Sequence, residues 1–135
     1  MLLKVVEKEI RNEFPSLVVS INEDEYLIVI EGPNQEVGDI EIEDDLDELI
    51  IVVGNFTHWH AGCYDESLSK DEKEKQITSE VTDFLSDLFA DKIVMWGSHK
   101  HGGGFYYPEY NENEQDAPLE HNEVNKYVWS GKKIS

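Results

Sequence analysis

Two pairs of histidines, each with one residue between its members, have a residue type and a spacing that suit metal binding or acid/base catalysis. They are His58 with His60, and His99 with His101. Side chains at positions i and i+2 of a β-strand point to the same side, so each pair could bind one metal ion. Cys63 follows the first pair closely enough to supply a third ligand. If the two pairs converge, the sequence predicts a site for zinc or another divalent transition metal. The alternative is that the second pair lies in a solvated loop, because three glycines follow it.

The first histidine pair is also close in sequence to two carboxylates, Asp65 and Glu66. An imidazole oriented by a carboxylate is a common general acid or base, and Asp65 could equally serve as a metal ligand. Acid/base catalysis also needs a nucleophile or a bound substrate group, however, and the nearby Ser69 is better explained as a helix cap. We therefore assign no catalytic residue and expect a binding protein rather than an enzyme.

Charge is the strongest global feature of the 135-residue chain, whose formal net charge is −19. No lysine or arginine occurs between Arg11 and Lys70, whereas fifteen aspartates and glutamates do. A field of this sign repels nucleic acid and anionic membranes and attracts basic proteins. We therefore expect a basic protein partner, no nucleic acid, no membrane, and no cofactor unless the histidines bind a metal. The alternative is an acidic surface that only keeps the protein soluble.

The length suits a single domain over residues 1–135, which is large enough to bury a hydrophobic core. One cysteine excludes an internal disulfide. The first residues, MLLKVVEKEIRNEF, carry charges every few positions and lack the apolar segment of a signal peptide. No apolar run is long enough to span a bilayer. These features predict a cytoplasmic protein.

The apolar periodicity predicts an α+β fold in which helices pack on an antiparallel sheet. Leu2–Phe14 has helical spacing, whereas Leu17–Ile21 and Tyr26–Glu31 are expected to form a hairpin. Asp39–Glu43 alternates between acidic and apolar residues, as a strand with one wet face does, and should be the third strand of a four-stranded meander. Leu49–Val53 is an unbroken apolar run, so we place it at the centre of the sheet with both faces covered.

The second half of the chain should add one long helix and further strands. Ser69 and Glu72 form a capping box, and the apolar residues from Ile77 to Phe89 recur at helical spacing. The expected result is an antiparallel meander of about five to seven strands, with an N-terminal helix and one long amphipathic helix packed on one face. We expect the later strands to be Lys92–Gly97, Phe105–Tyr107 and Tyr127–Trp129. Ser98–Gly104 is expected to be a flexible loop whose glycines allow a close approach or a bulge. Glu109–Asn125 is expected to be a mobile loop.

Acidic and aromatic residues together predict a protein-binding surface. The acidic residues that precede Leu49 lie on the solvent-facing side of the strand Asp39–Glu43 or in the turn after that strand. On the strand they would also block edge-to-edge pairing of sheets. Tryptophan and tyrosine are typical anchors of interfaces, although here they could also cap the open end of a small core. We place the partner-binding surface at Glu41, Glu43, Asp44, Asp45 and Asp47, with Trp59 and Tyr64 as apolar anchors.

Three segments of the chain resemble small bacterial proteins that are similar to the immunity proteins of polymorphic toxin systems. The segments are VGNFTHWHAGCYDE, FLSDLFADKIVMWG and GGGFYY, and the resemblance covers roughly Leu49 to Tyr107. It implies a cytosolic antidote that binds and blocks a toxin domain, and it carries over no catalytic residues. Many such toxins are basic nucleases, to which an acidic inhibitor is attracted. The competing hypothesis is a small metal-binding protein or metallo-enzyme that uses His58, His60, His99 and His101.

Overall fold

The structure is a computed structural model that describes residues 2–33, 37–45, 48–54, 57–98, 102–108, 125–131 and 133–134. The predictions for Asp47, His99 and His101, and for the loop Glu109–Asn125 up to residue 124, fall outside the described residues, and Asn125 begins a strand. Two helices and nine strands occur within them: α1 (Leu2–Glu13), β1 (Val19–Asn22), β2 (Leu27–Ile30), β3 (Ile40–Asp44), β4 (Glu48–Val53), β5 (Thr57–Gly62), α2 (Lys70–Phe89), β6 (Val94–Ser98), β7 (Gly102–Tyr106), β8 (Asn125–Tyr127) and β9 (Lys133–Ile134).

The first five strands form one antiparallel sheet in their chain order, which confirms the predicted α+β meander with its two helices. The meander continues one strand beyond the four that we expected for this half of the chain. Gly54 adopts a φ of +55°, and after the turn Thr57 pairs with Val53 and Gly62 with Glu48. His58 and His60 therefore lie on a strand of their own beside β4, not on an extension of it.

Strand β4 alternates between two environments although its sequence is almost wholly apolar. Leu49, Ile51 and Val53 are fully buried, whereas Ile50 and Val52 are only partly buried. The expectation that both faces of this strand are covered was wrong. The two helices bury the same face of the sheet, which we call the inner face, and β4 lies second from the edge rather than at the centre.

Helices α1 and α2 close the core on the inner face. Helix α1 buries Leu3, Val6 and Ile10 and contacts β2 and β3, while α2 contacts α1 and β5. Helix α2 begins as predicted, because the hydroxyl of Ser69 accepts from the backbone N–H of Glu72 at 3.2 Å and the Glu72 carboxylate accepts from the backbone N–H of Ser69 at 3.2 Å. These bonds satisfy two of the N–H groups that a helix N-terminus leaves free. They fix where α2 starts after β5.

The second sheet, with strand order β7-β6-β8-β9, places β6 and β7 beside β5 of the first sheet, and aromatic side chains add to this contact. The ring of Phe84 on α2 meets Trp59 of β5 edge to face at 5.0 Å and Phe105 of β7 at 5.3 Å. The glycines predicted to lie in a flexible loop belong to β7 instead. At Gly104 a Cβ atom would lie 2.8 Å from the ring of Trp96, so the close approach expected from these glycines is confirmed.

Candidate functional site

The face of the five-stranded sheet opposite the helices carries a regular array of side chains, and we call it the outer face. The register places two rows of five residues across β1 to β5. In each row the order is polar, apolar, glutamate, apolar, histidine. Neighbouring strands lie about 4.8 Å apart, so each glutamate has an aliphatic side chain on either side. The rows are Asn22, Leu27, Glu43, Ile50 and His60, and Ser20, Val29, Glu41, Val52 and His58.

The acidic centre of the outer face has no lysine or arginine beside it. Glu41 and Glu43 are exposed, and the carboxylate of neither forms an ion pair or a hydrogen bond with another residue that the structure describes. Residues 12–69, which include all five strands of this sheet, contain no lysine or arginine. The two carboxylates are therefore uncompensated, and they lie among partly buried aliphatic neighbours: Leu27, Val29, Ile50 and Val52.

The acidic end of the sheet, which we define as Asp44, Asp45 and Glu48, is flanked by two exposed tyrosines. The backbone N–H of Asp44 donates to the carbonyl of Tyr26 at 3.1 Å, and that of Asp45 donates to the carbonyl of Glu48 at 2.8 Å. Tyr26 is 54% exposed and Tyr64 is 77% exposed. Acidic and aromatic groups, which together suit a protein interface, are thus combined at one end of the sheet.

Of the two aromatic anchors predicted from the sequence, only Tyr64 lies beside the acidic end. Trp59 lies on the inner side of β5 and packs on Phe84, away from the outer face. Tyr26 is a second exposed aromatic residue at the acidic end, and the aromatic pattern of the sequence did not single it out. The sequence did contain a signal for Tyr26. It directly precedes the strand that pairs with β3, so the register of the hairpin would have placed Tyr26 near Asp44.

Glu48 connects the outer face to the acidic end through its two carboxylate oxygens. One oxygen lies 2.7 Å from Nδ1 of His60, and the other accepts from the hydroxyl of Tyr64 at 2.5 Å. The hydrogen bond from Tyr64, followed by that from His60, holds the pKa of Glu48 below its ordinary value of 4.5. The same bond raises the pKa of Tyr64 above 10.0.

The ring of Tyr64 has a second contact, with the backbone of Gly62. A Cβ atom at Gly62 would lie 2.9 Å from the tyrosine oxygen and 3.1 Å from the ring carbon that carries it. A side chain at this position would displace the tyrosine ring from the orientation in which it bonds Glu48. The contact with Gly62 and the bond to Glu48 together hold Tyr64 in one orientation although most of it is exposed.

The carboxylate that contacts His60 is neither of the two that lie close to it in the sequence, Asp65 and Glu66. Asp65 accepts from both the backbone N–H and the hydroxyl of Ser67, at 3.0 and 2.6 Å, and so closes the turn before α2. Among the described residues, neither histidine of the pair contacts Asp65 or Glu66, so the alternative in which one of these carboxylates orients a histidine has no contact to support it. Glu48 takes that role, although it precedes His60 by twelve residues, because β4 and β5 lie side by side.

The first histidine pair shares one face of β5, as its spacing predicted, with ring centroids 6.0 Å apart for His58 and His60. Cys63 packs against the core instead and lies on the other side of the sheet. Within the described part of the chain, no group of three or more histidine, cysteine, aspartate or glutamate residues is placed to hold a metal ion. Since His99 and His101 lie outside the described residues, a zinc site built from both pairs stays a prediction.

An open cavity of about 630 Å³ lies between the start of α2 and the ends of β4 and β5. Leu2 and Ile77 give it an apolar wall, and Lys70 and Lys73 bring positive charge to a rim that also contains glutamates. The cavity adjoins the acidic end through Glu48. It differs from the surface of the sheet, which has no lysine or arginine, because its lining contains both lysines and glutamates.

Comparison with protein-family models, with curated proteins and with solved structures finds no match to this chain. Among the residues that the structure describes, no helix has the length and the apolar character needed to cross a lipid bilayer.

Proposed function

We propose that this protein is an acidic binding protein of the cytoplasm that inhibits a basic partner by covering it, as an immunity protein blocks a toxin nuclease domain. The observation that carries the proposal is the acidic end of the sheet, where three carboxylates are flanked by exposed Tyr26 and Tyr64. The resemblance of the segments between Leu49 and Tyr107 to immunity proteins favours the same function.

Long-range attraction is the first physical support for this function. The chain carries a net charge of −19, and the sheet that presents the acidic end contains no lysine or arginine. Attraction between complementary surfaces raises association rates by about 10- to 1000-fold at low salt. A nuclease domain binds phosphates through a cationic groove, so an acidic inhibitor would be steered to the groove that it must block.

Short-range contacts of the tyrosines are the second support. An exposed ion pair contributes only about 0–1 kcal/mol, so carboxylates alone give a weak complex. Tyrosine is enriched among the interface residues that dominate binding energy. Because Tyr64 is already held by Glu48 and by contact with Gly62, it would lose little conformational freedom on binding.

Site-specific photo-crosslinking tests this function. The photoreactive amino acid p-benzoylphenylalanine would replace Tyr26 or Tyr64 in turn in the native host, and crosslinked proteins would be identified by mass spectrometry. We expect both positions to capture the same basic protein, and we expect that protein to lose nuclease activity when the purified inhibitor is added. Val5, which is exposed on α1, supplies the matched control position.

Three results would contradict the proposal. The first is capture of only acidic or neutral proteins from the two tyrosine positions. The second is capture of the same proteins, with the same yield, from position 5. The third is a captured basic protein whose activity is unchanged by an excess of this protein.

A further inference from the structure

We propose that the outer face recognises an extended segment of the basic partner in which two arginine or lysine side chains occur at alternate positions. Each cation would meet one of the two central glutamates, Glu41 and Glu43. The inference rests on the proposed function and deepens it, because it names the part of the partner that the sheet would bind.

The spacing of the two carboxylates carries the inference. Glu41 and Glu43 are two residues apart on β3, which places their Cα atoms about 6.7 Å apart on the same face. A second extended chain has the same repeat, so its residues i and i+2 also lie on one side about 6.7 Å apart. A segment lying along β3 would therefore bring two cations into register with two carboxylates. Cations at i and i+1 point to opposite sides, and only one of them could bind.

The aliphatic neighbours of the glutamates fit the stems of lysine and arginine. Glu43 lies between Leu27 and Ile50, and Glu41 has an equivalent valine on each side. Lysine and arginine place their methylene groups on apolar surface while their charged ends reach a polar partner. Contacts of this kind would also exclude water from the ion pairs and so strengthen them.

No cation of the described chain competes for this site. Lys4 bonds Glu23 beyond the end of β1, and Arg11 donates to the backbone of β1 at 3.0 Å. Glu41 and Glu43 make no such contact with any described residue. The register of β2, β3 and β4 also fixes the Cα positions of the two glutamates and the face on which they lie, so their spacing is set before a partner arrives.

Two synthetic peptides of equal composition test the inference on the whole protein. Each has twelve residues, mainly threonine and valine, with two arginines that are either at alternate or at adjacent positions. Binding would be followed by NMR of ¹⁵N-labelled protein. The test variant is Glu41→Gln with Glu43→Gln, and the matched control is Glu80→Gln with Asp83→Asn, which removes two charges from exposed positions of α2.

We expect the peptide with alternate arginines to shift amide signals of β2, β3 and β4 and to bind more tightly than the peptide with adjacent arginines. Its Kd should rise about three- to thirty-fold in the test variant, as the loss of two exposed ion pairs implies, and change less than about twofold in the control. Circular dichroism would establish that both variants keep the fold.

Equal affinity for the two peptides, equal weakening in both variants, or no binding of the alternate peptide would overturn the inference. Experiments with the natural partner distinguish failure of this inference from failure of the proposed function. If a basic partner is crosslinked from positions 26 and 64 but binds the Glu41→Gln, Glu43→Gln variant with unchanged affinity, only recognition by the outer face is wrong. If no basic partner is captured, the proposed function itself fails, whatever the peptides do.

Discussion

Replacement of Phe84 by leucine tests whether one aromatic side chain joins the two sheets. Phe84 on α2 is 6% exposed, and its ring meets Trp59 at 5.0 Å and Phe105 at 5.3 Å, both edge to face. Each such aromatic pair contributes about 0.5–1.5 kcal/mol beyond the burial of its area. Leucine keeps most of the apolar area but loses both pairs, so we expect the free energy of unfolding to fall by about 1–3 kcal/mol. For a domain of this size, the melting temperature should fall by roughly 4–10 °C.

Urea denaturation would give the free energy of unfolding, and NMR of fluorine-labelled tryptophan would locate the change. The signal of Trp59 should move in the Phe84→Leu variant, whereas that of Trp129, which packs on Phe89 at 5.5 Å, should not. The control Val5→Ala, at an exposed position of α1, should change the free energy of unfolding by less than about 0.5 kcal/mol. A cost of less than about 0.5 kcal/mol for Phe84→Leu, or an unmoved Trp59 signal, would refute the role of this ring as the junction.

Two further predictions concern the start of α2 and the network around Glu48. Ser69→Ala removes the oxygen that caps α2 and should lower the free energy of unfolding by about 1 kcal/mol in urea denaturation, while Ser16→Ala, at an exposed position, should have little effect. Tyr64→Phe removes the main bond that lowers the pKa of Glu48, so carboxyl NMR should show that pKa rising towards 4.5. Because a lowered pKa stabilises the fold above pH 4.5 and the effect is lost as the pH falls through the folded-state pKa, Tyr64→Phe should destabilise the protein at neutral pH and lose this effect in acid. An unchanged pKa of Glu48 in Tyr64→Phe would contradict the bond between Tyr64 and Glu48. An unchanged free energy of unfolding in Ser69→Ala would contradict the cap of α2.

Local features of the fold were predictable because they depend on residues a few positions apart. Helix α2 is the clearest case, because both of its signals lie within one short segment. These signals are the capping box of Ser69 and Glu72 and the apolar spacing that follows it. The alternating strand β3 was predicted for the same reason, with Glu41 and Glu43 exposed and Ile40 and Ile42 buried.

The composition of the candidate surface depends on register between strands, which the sequence did not specify. A shift of one residue in a strand moves every side chain to the opposite face. Trp59 was expected at the partner-binding surface but lies on the inner side, between two histidines that lie on the outer side. The contact of Glu48 with His60 likewise requires the pairing of β4 with β5, which the unbroken apolar run of β4 did not reveal.

The salt dependence of the association rate between this protein and its crosslinked basic partner tests the proposed binding most directly. The wild type would be compared with Asp44→Lys, Asp45→Lys and with a control, Glu80→Lys, Asp83→Lys, that changes the net charge by the same amount. We expect the wild-type rate to fall steeply between about 50 and 200 mM salt. The acidic-end variant should associate about tenfold more slowly at low salt, with a much weaker salt dependence, and the control should change far less. Unchanged rates in the acidic-end variant, or equal slowing in both variants, would contradict binding through the acidic end.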